Sequence, residues 1–532
     1  MYQQYKKGII YLLVIIMCIS MVACGGNEEA PDTEGNNESG EPVYGGIVRV
    51  AYDQDPLTID WMSSDASSTT HIGSHIFELL FAPDADLMTK PMLAEGYELS
   101  DDELVYTIKL RQGVLFHDGS EMTSLDVVAS FNRWGQISST GMTVMNYVDK
   151  IEAPDDYTVV VTLKSRYGSF INAISDQQAS LAIIPAEIAE AAGVTPLNED
   201  QLIGTGPFTF DSWERGNKIV LKKFEDYVSR TEDWGGLAGK KTAYVDEVHF
   251  YIVSDPQVRL DGIRTGQYDY AIRANKDMYY ALQDDESLVF LPSKPDSWIT
   301  IGIDCTEPPF DDVNLRQAIN YALDREAIGI ATYGSEEFFE LDGSVFFPEQ
   351  GNLYTLDGTD RYYEYDPEKA RQLIEASDYN GEVITLMAST NVDDHYKSAQ
   401  IEAEMLKDVG FNVEILPLEW ATYLEKVGDT SLYDLFVTGF PIANDVPSVL
   451  WVSHSWPGAV IKPELDSIIE RWVVTADQDE RFALLGELNE YFYEEAPLIK
   501  IVNEIGLEAH SSKLSYVPWV SLRFWNAWFI ES

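Results

Sequence analysis

LAEGYELSDDELVYTIKLRQGVLFHDGSEMTSLDVVASFNRW, residues 93–134, is the stretch from which the fold is read. Within it, residues 106–110 alternate polar and apolar side chains, the period-two pattern of a strand with one buried face. His117-Asp118-Gly119 follows as a turn, since Asp tolerates turn geometry and Gly supplies a positive φ. Residues 125–134 then read as a helix, with Leu125, Val128 and Ala129 on one face. Working outward, Ile47 to Tyr52 (IVRVAY) opens the fold as a strand, and a loop over 53–70 leads to a helix over 71–80. Residues 158–163 (TVVVTL) are another β-rich run. Gly204-Thr205-Gly206-Pro207 is a tight turn before a strand at Phe208, and 218–222 is the next strand. Strands mixed with short helices in this way make the first half α+β.

The second half has a clearer α/β rhythm. Asp311 or Asp312 caps a helix whose apolar residues Leu315, Ala318, Ile319, Ala322 and Leu323 recur at helical spacing. Asp366-Pro367 starts another, a capping carboxylate followed by proline at the first helical position. Residues 383–388 read as a strand, 396–409 as a helix stopped by Gly410, and 411–416 and 432–438 as the next strands. That order is a βαβ unit with a further strand. Open sheets of this kind meet ligands at the loops beyond the strand carboxyl ends, here 389–395 and 439–451.

A chain of 532 residues exceeds one ordinary core, so two or three compact units are expected. Lys and Arg number 36 against 89 Asp and Glu, a net charge of −53. Phosphates are repelled by such a surface, which excludes nucleic acid as a partner. Lys6 and Lys7 precede an apolar run over 8–23, short for a membrane span and suited to an export signal. The run ends in Met21-Val22-Ala23-Cys24-Gly25, which resembles a bacterial lipobox and implies cleavage before Cys24 and lipidation of its thiol. Residues 25–42 hold six acidic residues, four Gly and three Asn with no apolar cluster, a flexible tether. Cys305 is then the one cysteine of the mature fold, so no internal disulfide is possible, and it is expected to be a small buried apolar residue.

Several segments resemble family 5 of the extracellular solute-binding proteins, the oligopeptide-, dipeptide- and nickel-binding group. The opening stretch carries the family's YT-x-x-LR-x-G-V-x-FHDG-x-x-x-T-x-x-DV run almost intact. GTGPF (204–208), PPFDDVNLRQAINYALDRE (308–326), YDPEKARQLIEA (365–376) and FWNAW (524–528) also match, so the resemblance spans nearly all of the mature chain. It implies a mixed α/β and α+β chain in the two-lobed periplasmic-binding-protein type II (class C) fold, with an extra small domain on the first lobe. The expected layout is a first lobe over 43–295 that includes the small domain at about 80–205, a second lobe over 296–505, and a segment over 506–532 returning to the first lobe. The resemblance also implies capture of a small solute, a peptide, between the lobes. Closure over it is read by the membrane subunits of an ABC permease, with no catalysis and no cofactor. The protein is expected as a monomer on the outer face of the cell membrane.

Peptide-binding members hold the ligand's amino terminus with an aspartate in a G-W-x-x-D-x-x-x-P pattern. Here the stretch is Gly439-Phe440-Pro441-Ile442-Ala443-Asn444-Asp445-Val446-Pro447, with Ala443 at the aspartate's place and Asp445 two residues on. Asp445 is the candidate amine partner after a loop shift, against the alternative of a solvated turn residue. Asn444 stands beside it. Phe440 replaces the pattern's tryptophan and is a candidate stacking surface; Trp451 and Trp298 are further candidates that equally suit a core. On the facing lobe Thr69, Thr70 and His71 precede a helix, where free amides can receive a carboxylate or carbonyl.

Three other readings compete with this one. His71 and His75 are spaced i, i+4, but no third metal ligand stands at a telling distance. A secreted hydrolase finds no G-x-S-x-G elbow and no H-E-x-x-H, and Trp234 occupies the first-glycine place of the phosphate-loop lookalike ending at Gly239-Lys240. A surface sensor or adhesin of the same fold is a third reading.

Overall fold

A computed structural model describes residues 42–530, apart from 294, 296, 454, 455, 460 and 476. The signal segment, Cys24 and the tether up to residue 41 lie outside the described residues. Three main sheets organise the rest. The first has seven strands in the order Leu288–Pro292, Leu507–Ser511, Tyr270–Ala271, Ile47–Tyr52, Glu247–Ile252, Lys218–Lys223, Phe208–Glu214. Ile47–Tyr52 runs parallel to both of its neighbours. Val48 and Val50 are fully buried on one face and Ala51 on the other, as a central strand with both faces covered requires.

The opening stretch builds a separate four-stranded antiparallel sheet, Ala94–Leu99, Val105–Leu110, Thr158–Leu163, Val148–Asp155. Its helix, Ser124–Ile137, starts at a capping box in which Asp126 accepts from the Thr123 backbone at 2.8 Å. The buried face is not the expected one. Val127, Phe131 and Trp134 point into the core, and Leu125 is 63% exposed because it stands about 200° around the helix from Val127. The helix expected over 71–80 is likewise displaced, to Ser67–Ile76. Leu79 and Leu80 leave it because their carbonyls accept from the backbone N–H groups of Leu93, Met92 and Ala94. Thr69 and Thr70 therefore lie inside the first turn, their N–H groups bonded to Ala66, and do not offer free amides.

The second large sheet orders six strands as Phe339–Glu340, Leu498–Glu504, Ser297–Ile303, Leu435–Pro441, Val383–Ser389, Asn412–Leu418. Val383–Ser389 is parallel to both neighbours, with Asp393–Val409 as the crossover helix, ended by Gly410 at φ 118°. The strand expected over 432–438 starts three residues later. Thr430–Leu432 is a short 3-10 turn capped by Asp429, and Asp434 accepts from the Thr385 backbone at 2.7 Å, which sets the register from Leu435 on.

Two segments cross between the large sheets, one between Pro292 and Ser297 and one between Glu504 and Leu507. They are tied reciprocally: Ser293 N–H donates to the Gly506 carbonyl and Gly506 N–H to the Ser293 hydroxyl, each at 2.9 Å. The chain then returns to the first lobe, burying Leu514, Tyr516, Leu522, Phe524 and Trp525 in its core. Among the described residues no helix is long and apolar enough to cross a membrane.

Candidate functional site

The crossovers bring the carboxyl ends of the parallel strands of both lobes toward one another, the place where open α/β sheets hold ligands. From the first lobe come Asp53 after Ile47–Tyr52 and Arg273 after Tyr270–Ala271; from the second come Ser389 and Pro441 at the ends of their strands. Away from the hinge the lobes touch along a seam. Ser169 Oγ donates to Asp445 at 2.6 Å, Gln178 Nε2 to the Ile442 carbonyl at 2.9 Å, and Gly168 N–H to the Val473 carbonyl at 2.5 Å. A cavity of about 110 Å³ on this seam is lined by Thr89, Asn172 and Ser175 of the first lobe and Gln350, Asn352 and Asn444 of the second.

The structure gives each predicted residue a definite place. Asp445 is 1% exposed, and its second oxygen accepts from Trp472 Nε1 at 2.6 Å, so both oxygens face protein donors. Burial raises its pKa, against the pull of Ser169 and Trp472. Asp445 is thus no solvated turn residue; it is buried on the seam, with Asn444 at the seam cavity. Phe440 and Trp298 are brought together as a stacked pair, 4.9 Å between centroids, and both are buried with Trp451 in one second-lobe core. On the opposite side Thr69 Oγ1 donates to the Thr58 carbonyl at 2.8 Å and Thr70 Oγ1 to the Gln177 carbonyl at 3.3 Å. His71 Nδ1 meets the Tyr52 hydroxyl at 2.8 Å, and burial, helped by the charge of Arg273, lowers its pKa to about 4. His75 is no ligand candidate: Nδ1 bonds the His71 carbonyl at 2.8 Å and Nε2 accepts from Phe524 N–H at 2.9 Å, which uses both nitrogens. Among the described residues no group of three His, Cys, Asp or Glu side chains could hold a metal ion.

Other residues at the strand ends escaped the sequence reading. Arg273 pairs with Asp53, and Lys276 bridges Asp394 at 3.0 Å and Glu504 at 3.5 Å, tying the first lobe to the second beside the hinge. Burial works against the Glu504 carboxylate, yet the charges of Lys276, His395 and Arg273 hold it below the usual range. His395 lies against Gly439, where an added Cβ would come within 3.2 Å of its ring. Several buried polar atoms here make no hydrogen bond to the described residues: Gln177 Nε2, His395 Nδ1 and both amide atoms of Asn503. Asn503 sits in one cross-strand row with Trp298 and Phe440. Only the recurrence of polar residues at strand ends (Tyr52-Asp53, Ile272-Arg273, Asn503-Glu504) could have signalled them.

Two lobes with facing strand ends, joined by paired crossovers and closed along a polar seam, make up a protein that holds a solute between its halves. The family model described as bacterial extracellular solute-binding proteins, family 5 Middle, matches residues 89–457, and the chain belongs to that family. It is a solute-binding protein that works outside the cytoplasm. Over 474 residues it is 29% identical to the probable peptide ABC transporter periplasmic-binding protein y4tO of Sinorhizobium fredii, covering 85% of this chain and 87% of that one. Over 479 residues it is 27% identical to the glutathione-binding protein GsiB of Pectobacterium atrosepticum, covering 86% and 88%. The oligopeptide-binding protein AppA of Bacillus subtilis, solved with a nonapeptide, superposes with a TM-score of 0.79 at 23% identity over 92% of this chain and all of that one. The two-lobed type II fold is thereby confirmed.

Proposed function

We propose that the protein captures short peptides between its lobes and delivers them to the permease of an ABC importer, without chemical change to the cargo. The observation that carries this reading is the meeting of both lobes' strand carboxyl ends beside buried polar atoms that no described residue satisfies, Gln177 on one lobe and Asn503 on the other. Unsatisfied buried groups cost about 1–3 kcal/mol each, which a ligand bringing its own amides offsets. The peptide class rests on the printed names of relatives that align along most of their length. Cys24 is the proposed lipid attachment and the chain acts as a monomer, with a first lobe over 43–295 that includes the small domain at about 80–205, and a second lobe over 296–505. Asp445, Asn444 and Phe440 shape the second-lobe wall, with Trp298 and Trp451 behind Phe440, and Thr69, Thr70 and His71 shape the first.

A thermal-shift panel of di- to hexapeptides, sugars and metal chelates tests the reading. Peptides are expected to raise the melting temperature; a response to sugars or chelates alone refutes the peptide class.

A further inference from the structure

Arg273 is set apart from the other cations near the hinge. It follows the strand Tyr270–Ala271 with φ 44°, the left-handed region that a side-chain-bearing residue enters only at a conformational cost. The surroundings enforce it: Arg259 Nη2 donates to the Arg273 carbonyl at 2.7 Å and Arg259 Nε to the Ile272 carbonyl at 3.0 Å. Backbone strain held in place by a buried neighbour is a feature of residues that must present a group at a set position. What is presented here is a guanidinium whose side chain is 57% exposed although it stands at the carboxyl end of a buried strand, between lobes. Its Nη1 is bonded to Asp53, and Nε and Nη2 make no hydrogen bond with the described residues. The nearby Lys276, by contrast, is 13% exposed and engaged by two carboxylates. The positive charge of Arg273 is felt on both lobes, by His71 on the first and His395 on the second.

We infer that Arg273 is the specificity-determining residue of the cleft and receives a carboxylate of the ligand on its free Nε–Nη2 edge. The fork of two parallel N–H groups matches the two oxygens of a carboxylate, and with Asp53 engaging Nη1 the Nε–Nη2 edge of this exposed side chain is the one left for a ligand. The class of ligand is thereby narrowed to solutes with an unblocked carboxylate, whether a peptide carboxyl terminus or an acidic side chain. This rests on the proposed solute site between the lobes; it does not require the solute to be a peptide.

The test is calorimetric titration of matched acid and amide pairs: trialanine and trialanine amide, Ala-Asp-Ala amide and Ala-Asn-Ala amide, and succinate and succinamide. The wild-type protein is expected to prefer the acid of at least one pair by about 10- to 100-fold, the worth of a charge-assisted pair of hydrogen bonds. Which pair responds separates a terminal carboxylate from a side-chain one. Arg273→Asn removes the charge with a residue that tolerates a positive φ, and is expected to bring the acid-to-amide ratio near one. Asp53→Asn, which frees the guanidinium from its internal anion, is expected to raise that ratio. An unchanged ratio in Arg273→Asn overturns the inference, as does equal binding of acid and amide by the wild type. Preference for succinate over both peptide pairs, lost in Arg273→Asn, would uphold the carboxylate site while refuting the peptide class. Should no acid bind while amides do, the inference fails.

Discussion

Closing the lobes buries a carboxylate on each side of the seam, and this makes ligand affinity a function of pH. Asp176, on the first-lobe side, is 3% exposed. Burial raises its pKa from 3.8 to about 6; the Gln178 N–H and the Ser448 hydroxyl across the seam oppose the rise, and the charge of Asp445 adds to it. With the lobes apart the carboxylate is hydrated and returns toward its ordinary value. A group whose pKa is higher in the closed form makes closure take up a proton. Closure is therefore penalised above pH 6, relieved as the pH falls through 6, and fully relieved below the open-form value. Two pKa units correspond to roughly 3 kcal/mol, and the portion recovered between pH 7 and pH 5 is about tenfold in the closing equilibrium. A ligand that binds only the closed form inherits that factor. The assay is titration with trialanine, which has no group ionising in this window. The wild type is expected to bind about tenfold more tightly at pH 5 than at pH 7. Asp176→Asn, whose side-chain oxygen still accepts from Gln178, is expected to show a shallower profile, keeping only the share that Asp445 contributes, and tighter binding at pH 7. Identical pH profiles for the two proteins, or wild-type affinity that falls on acidification, would refute the reasoning.

Other outcomes follow from the same contacts. Ser169→Ala removes one interlobe donor to a buried carboxylate and is expected to weaken ligand binding by about tenfold or more, read by titration, with a much smaller change in melting temperature. Gly506→Val places a Cβ 2.7 Å from the Ser293 hydroxyl and breaks the tie between the crossovers; a loss of roughly 1–2 kcal/mol in urea unfolding and a changed interlobe distance by paired spin labels are expected. Cys305 is 3% exposed, and burial pushes its thiol up to about 11. A chain starting at residue 42 should leave a disulfide reagent unreacted until it is unfolded, then consume one equivalent.

Much of the scaffold is legible in the amino-acid sequence, because its signals are local. Asp312 and Asp366 cap their helices as their spacing suggests, each accepting a backbone N–H at 2.9 Å, and Gly410 ends the helix before it in the left-handed region. Reading failed where tertiary pairing overruled local pattern. Leu79 and Leu80 continue an apolar period yet leave the helix to pair with 92–94. Leu125 looks like core and is exposed, because the small sheet covers the opposite side of its helix. The site was harder still. Phe440 could be named from the family pattern and Trp298 as an aromatic equally suited to a core, but their mutual stacking needs a register between strands more than a hundred residues apart. Arg273, Asp53 and Asn503 carry no motif; only the meeting of two sheets by their carboxyl ends gives them a common place.

Small-angle X-ray scattering of the purified protein, with and without a saturating mixture of tri- to pentapeptides, bears most directly on a cleft that shuts over its cargo. The radius of gyration should shrink on addition and recover after dialysis. A curve that does not change while calorimetry reports saturation would mean that cargo is held without movement of the lobes, and the account would fail.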